Sequence, residues 1–114
     1  MADGVIYINF EEGMKRMMNN AKFYAKMLTK FKDDTNLVIL EEALVAGDME
    51  KAQVAAHTLK GVVSNLSLTE LYKQTLEMEN QLKAKDVNPE QLPLLKNVYS
   101  QTMVKVEEVI AQNG

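Results

Sequence analysis

Apolar residues that recur every three or four positions are the feature that most constrains this chain. In residues 9–31 this spacing, which places side chains on one face of a helix, is found at Met14, Met17, Ala21, Tyr24, Leu28 and Phe31. Further stretches with this spacing cover residues 37–44, 52–66, 68–82 and 95–110. Glycine and proline, at five and two residues, are scarce, and β-branched residues form no alternating run long enough for a sheet. The sequence therefore predicts an all-α fold.

Residues that commonly begin and end helices mark several boundaries. Asn9 and Asp48 are expected to be N-caps, because their short side chains can accept a backbone hydrogen bond. Gly47 is expected to end the preceding helix, since glycine readily adopts the left-handed conformation. Asn19 and Asn20 are poor helix formers, so they are expected to divide the first stretch into a short leading helix and a longer one.

Two further motifs concern the later helices. The run Ser67-Leu68-Thr69-Glu70 is interpreted as a capping box, in which Ser67 accepts a hydrogen bond from the Glu70 amide and the Glu70 carboxylate bonds the Ser67 amide. Pro93 would remove a hydrogen bond from an established helix, so the last helix is expected to begin near Leu92.

The predicted helices each carry an apolar stripe that none can bury alone. An antiparallel up-and-down bundle buries all of these stripes with short connections. We expect four main helices plus a short additional N-terminal helix. A length of 114 residues suits one domain, which is expected to span residues 1–114.

Composition argues against several classes of function. The chain has no cysteine and one histidine, which rules out disulfides, cysteine-based zinc sites and sites with several histidines. Its net charge of −3 comes from interspersed charges without a Lys/Arg stripe, so nucleic acid is not an expected partner. No apolar run approaches the ~20 residues of a membrane span, and the N-terminus lacks the basic start of a secretory signal. A cytoplasmic location without membrane association is therefore expected.

The single histidine is predicted to face solvent from the middle of a helix. When Leu59 is taken as the direction of the core, Ala52, Ala56, Val63 and Leu66 lie within roughly 60° of it, whereas His57 lies roughly 160° away. The outward face is shared by Glu50, Gln53, Val54, Gly61 and Ser64. A buried, hydrogen-bonded core histidine is thereby disfavoured. The spacing alone is equally consistent with an ordinary exposed histidine.

Two neighbours of His57 favour a chemical role. Lys60 lies about one helical turn further along, near enough to neutralise an anion bound at the imidazole. Gly61 occupies a helix interior, where glycine costs about 0.5–1 kcal/mol relative to alanine. Its outward direction favours close approach by a partner over packing against another helix. Considered alone, Lys60 is better explained as a solvated residue on the flank of the helix.

These residues form part of a family signature. The run Ala56-His57-Thr58-Leu59-Lys60-Gly61 closely resembles the A-H-x-[LI]-K-G signature of histidine-containing phosphotransfer (Hpt) domains, and a looser resemblance extends from Asn9 to Ile110. Such domains are up-and-down helical bundles whose phosphorylated histidine is exposed on the second helix of the bundle core. Met78-Glu79-Asn80 is similar to the phosphorylatable domain of chemotaxis histidine kinases, which implies that Glu79 orients the imidazole. Ser67 departs from the family, because many members have glycine or another turn residue there.

The resemblance implies a phosphocarrier without kinase activity of its own. His57 would relay a phosphoryl group between receiver-domain aspartates, or accept it from a histidine kinase, in a two-component phosphorelay. Lys60 would stabilise the phosphoryl charge and Gly61 would admit the partner, whose docking surface is expected to include Gln53, Val54 and Ser64. The implied partners are a response-regulator receiver domain and a histidine kinase, with Mg²⁺ on the receiver and no cofactor on this chain. A monomer is expected, and the chain shows no Gly-rich nucleotide-binding loop.

Two alternatives stay open from the sequence. A helical protein-binding adaptor without phosphotransfer activity would leave His57 incidental and could use an adaptable surface of Met14, Met17, Met18 and Met27. The chain could also be an excised phosphorylatable domain of a larger histidine kinase. Acid-labile phosphate on His57 would exclude the adaptor.

Overall fold

The computed structural model describes residues 5–113 and contains only helices and connections over that range. The helices are α1 (Phe10–Arg16), α2 (Ala21–Phe31), α3 (Asn36–Ala46), α4 (Met49–Asn65), α5 (Thr69–Lys83) and α6 (Gln91–Asn113). The predicted all-α class is confirmed. None of these helices is both long enough and apolar enough to cross a membrane, within the part of the chain that is described.

The number of helices differs from the prediction. Residues 5–113 form six helices, one more than four main helices plus a short leading one. The predicted stretches, with the first one divided at Asn19 and Asn20, already amount to six helices, so the expected count of five was one too low. Between α2 and α3, the Asp34 carboxylate accepts hydrogen bonds from the amide and the side chain of Asn36. The antiparallel path of four main helices stays a prediction.

Most of the predicted helix boundaries are confirmed. The side chains of Asn9, Asn20 and Asp48 each accept a hydrogen bond from the backbone amide three residues later, at 3.1, 3.0 and 3.1 Å. Asn20 therefore begins α2, and the first stretch divides as expected. Gly47 ends α3 with a φ of 74°, in the left-handed region where a Cβ is disfavoured. The last helix begins at Gln91, so Pro93 lies in its first turn, where no intrahelical hydrogen bond is lost.

The predicted capping box at Ser67 is wrong. Ser67 has a φ of 57°, and its hydroxyl donates to the Glu12 carboxylate at 2.8 Å instead of accepting from Glu70. The Glu70 amide donates to the carbonyl of Ile6 at 3.1 Å. Leu68 is the N-cap residue of α5 and makes no side-chain cap. The carbonyl of Ile6, far from Glu70 in sequence, thus accepts the hydrogen bond that the Ser67 hydroxyl would have accepted in a capping box.

Helix α4 has its apolar stripe buried and one side open. The five residues predicted to face inward are all at most 3% exposed: Ala52, Ala56, Leu59, Val63 and Leu66. Helix α4 packs against both α3 and α5, while α6 packs against α5 and α2. The buried Tyr24 of α2 donates its hydroxyl to the Leu66 carbonyl at 2.6 Å, which ties α2 to the end of α4. The open side of α4 carries His57.

Candidate functional site

His57 lies in the middle of α4 with its side chain 69% exposed. Its neighbours on the predicted outward face are exposed or half-buried, as the helical spacing requires. The ring is therefore accessible to a partner while its helix is held by the core.

Glu79 of α5 reaches the histidine from the neighbouring helix. Its Oε2 lies 2.8 Å from Nδ1 of His57, and its side chain is only 1% exposed. An ionised carboxylate only accepts hydrogen bonds, so Nδ1 carries the proton and Nε2 of the neutral ring keeps its lone pair. The structure thus brings together the two residues that the family resemblance connected.

Two lysines neutralise the Glu79 carboxylate. Nζ of Lys60 lies 2.7 Å from Oε1, and Nζ of Lys83 lies 3.5 Å from Oε2. The Lys60 side chain is 23% exposed and that of Lys83 is 54% exposed. The sequence pattern indicated Lys60 as a site residue but did not indicate Lys83. The spacing of four residues between Glu79 and Lys83 was the signal that could have identified the second lysine.

The surroundings of Glu79 determine its ionisation. Burial alone would raise the pKa of the carboxyl, but the close ion pair with Lys60, the hydrogen bond from His57 and the charge of Lys83 outweigh burial and lower the pKa to about 2. The carboxylate is therefore ionised at neutral pH. Burial of this charge is tolerated because it is paired on both oxygens.

A shallow cleft of about 490 Å³ lies beside the imidazole. It is lined by residues of α4 and α5, among them Gln53, Val54 and Lys83. Two of the three predicted docking residues therefore border His57. The third, Ser64, lines a separate pocket of about 340 Å³ near Ser67.

Gly61 faces open space. No atom of another residue lies within 4 Å of the position that a Cβ would occupy there, apart from the helix's own nearby backbone. Internal packing therefore does not require glycine at this position, and the space one turn from His57 is available to a partner.

The acidic group at this site is engaged by nitrogen donors. Within residues 5–113, no three His, Cys, Asp or Glu side chains are grouped so that they could hold a metal ion. Glu79 is instead bonded or paired to His57, Lys60 and Lys83. The described side chains thus offer hydrogen bonds and positive charge around the imidazole.

The four methionines considered for an adaptor do not form one exposed surface. Met17 is buried, Met14 and Met27 are half-buried, and only Met18 is well exposed. The structure therefore gives the adaptor interpretation no support at these positions.

Comparison with known families identifies the fold around this site. The model of the Hpt domain family matches residues 26–103. The chain belongs to the Hpt domain family. The matched region contains His57, Glu79 and both lysines of the site. Neither a curated protein nor a solved structure matches the chain.

Hpt domains carry phosphoryl groups on a histidine in two-component systems, where they interact with receiver domains and histidine kinases and do not act as kinases. In this Hpt domain, α1 lies outside the matched region. That helix and the segment before it contact the connection between α4 and α5 through Ser67. A segment that precedes the family match is therefore attached to the connection between the helices that carry His57 and Glu79.

Proposed function

We propose that this Hpt domain relays a phosphoryl group between receiver-domain aspartates, or accepts it from a histidine kinase, through Nε2 of His57. The observation that carries the proposal is the hydrogen bond between Nδ1 of an exposed His57 and the buried, ionised Glu79. This bond directs the lone pair of Nε2 outward while it keeps the proton on Nδ1.

The transfer step follows from this arrangement. The Nε2 lone pair attacks the phosphorus of an aspartyl phosphate, a P–N bond forms, and the P–O bond breaks with its electron pair returning to the aspartate carboxylate. The ring retains its Nδ1 proton and becomes positively charged. Glu79 stabilises that charge without taking the proton, because the pKa of its carboxyl is about 2. Phosphoryl transfer depends mainly on such positioning and charge stabilisation.

The remaining parts of the reaction are assigned to the partner. We place the aspartate that gives or receives the phosphoryl group, and Mg²⁺, on the receiver domain, where the metal would neutralise phosphoryl oxygens. Gln53, Val54 and Gly61 are proposed to lie in the contact surface, since the first two line the cleft and the third faces open space. The phosphoryl-stabilising role of Lys60 and the docking role of Ser64 stay predictions.

We also propose how the helices are arranged, and where and in what oligomeric state the domain acts. The four main helices would be α3 to α6, arranged antiparallel in one domain, in keeping with the packing of each on the next. We expect the domain to act as a monomer in the cytoplasm, where receiver domains and their kinases meet it.

A transfer assay tests the proposed function. The protein is incubated with a panel of receiver domains that carry radiolabelled aspartyl phosphate and Mg²⁺. The expected result is rapid label on this chain from at least one receiver, stable to base and lost in acid, as phosphohistidine requires. Absence of label from every receiver and from a panel of labelled histidine kinases would refute the proposal.

A further inference from the structure

The two lysines at the site differ in how firmly each is held by Glu79. Lys60 is mostly buried and lies 2.7 Å from Oε1. That oxygen is buried, and Lys60 is the only partner that the described residues provide for it. If Lys60 moved to another anion, it would leave a buried carboxylate oxygen unpaired, which is strongly unfavourable.

Lys83 has a different environment. Its ammonium lies 3.5 Å from Oε2, beyond the usual length of a charge-assisted hydrogen bond, and its side chain is half exposed. The same oxygen already accepts a hydrogen bond from His57 at 2.8 Å. Departure of Lys83 would therefore leave Glu79 with both of its closest partners.

Lys83 also lies beside the imidazole of His57. It lines the cleft beside the imidazole, whereas Lys60 does not. The other ionisable residues that line the cleft are Glu50, His57 and Glu79, so among the described residues Lys83 is the only lysine or arginine there. The flexible four-carbon stem of lysine allows its ammonium to follow an anion over several ångströms.

From these contacts we propose that Lys83 is the cation that binds the phosphoryl group on His57, and that Lys60 is a positioning residue that holds Glu79. The inference rests on the proposed function and assigns to Lys83 the role that the sequence suggested for Lys60. When the phosphoryl group reaches Nε2, the Lys83 ammonium leaves Oε2 for a phosphoryl oxygen. The bond from Nδ1 to Glu79 stays in place throughout.

The test compares transfer rates from one labelled receiver at low ionic strength. Lys83→Met is expected to slow phosphorylation by about tenfold or more, since loss of one buried electrostatic stabiliser costs ~10²–10³-fold and exposure reduces the effect. Lys83→Arg restores most of the rate because it keeps the charge. Added salt is expected to slow the wild-type protein more than Lys83→Met. Lys73→Met is the matched control, since Lys73 is an exposed lysine on the same helix, and its rate should equal that of the wild type.

Lys60→Met separates the two roles. It is expected to lower the melting temperature by several degrees because Oε1 loses its partner, while Lys83→Met changes the melting temperature little. The inference is overturned if Lys83→Met transfers at the wild-type rate while the wild type is labelled normally, or if Lys83→Arg is as slow as Lys83→Met. A wild-type protein that accepts no label would instead overturn the proposed function, and this inference with it.

Discussion

A single buried carboxylate sets the electrostatics of this site. Glu79 fixes the proton on Nδ1 of His57 and is itself fixed by Lys60. The donors and cations around Glu79 lower its pKa, and the ionised carboxylate in turn fixes the tautomer of His57.

The pKa of Glu79 predicts how stability depends on pH. In the folded protein it is about 2, below the ordinary value of 4.5, so the carboxylate contributes stability that is fully present above about pH 4.5 and is lost as the pH falls toward 2. We expect Glu79→Gln to lack this contribution, which is on the order of 3 kcal/mol. Urea denaturation of both proteins from pH 7 to pH 2 measures it. The stability difference between them should shrink across the acid range, and a difference that does not change with pH would contradict the assignment.

Gly61 separates the requirements of folding from those of transfer. Because its Cβ position is open, Gly61→Ala should raise the free energy of unfolding by about 0.5–1 kcal/mol, and Gly61→Gln should still fold. Both changes should slow transfer, Gln more than Ala, since a misplacement of about 1 Å can cost ~10²-fold. Thermal melts and transfer rates on the same proteins provide the test. Destabilisation of Gly61→Gln by several kcal/mol would show that the glycine serves internal packing.

At the scale of elements, the N-terminal segment is fastened to the turn between α4 and α5. The Asn9 amide donates to the Ser67 carbonyl at 2.9 Å, and the Ser67 hydroxyl donates to Glu12 at 2.8 Å. Both bonds are made by Ser67, which has a left-handed backbone conformation in this turn. Glycine adopts that conformation without strain, which gives a physical reason for the glycine or other turn residue that the family resemblance implies at this position.

Gly13 allows α1 to pack in this place. A Cβ there would overlap the ring of Tyr24, which is fully buried and donates its hydroxyl to Leu66, so the ring cannot move away at little cost. We expect Gly13→Ala to lower the free energy of unfolding by about 1–3 kcal/mol through overpacking. Gly61→Ala is the matched control, a helical glycine whose substitution should have the opposite sign. Chemical denaturation compares the two variants, and equal effects of both would contradict the packing account.

Burial and capping in the helices were predictable from nearby residues in the sequence, whereas contacts between distant residues were not. The positions that are buried in α4 follow from its apolar spacing, and the caps at Asn9 and Asp48 follow from side chains that act within three residues. The capping box at Ser67 failed because its partners, Glu12 and Ile6, are more than fifty residues away along the chain. Long-range contacts of this kind leave no periodic signal.

At the scale of the whole molecule, the bundle holds the site and leaves one side of it free. Packing of α4 against α3 and α5 buries the stripe opposite His57 and brings Glu79 to the ring. The exposed direction of His57 was predictable from helical spacing, whereas its contact with Glu79 was anticipated only through the family resemblance. Lys83 was missed because its four-residue spacing from Glu79 indicates a site residue only once Glu79 is placed beside the histidine.

The central claim is that His57, and no other residue, carries the phosphoryl group on an otherwise unchanged fold. The measurement that tests it most directly is phosphotransfer to His57→Gln beside the wild type, from the same labelled receiver, with circular dichroism of both proteins. Because the side chain is exposed, the variant should keep the helical spectrum and cooperative melting of the wild type. It should also gain no acid-labile label, whereas the wild type is labelled. Acid-labile label on a folded His57→Gln protein would contradict the account.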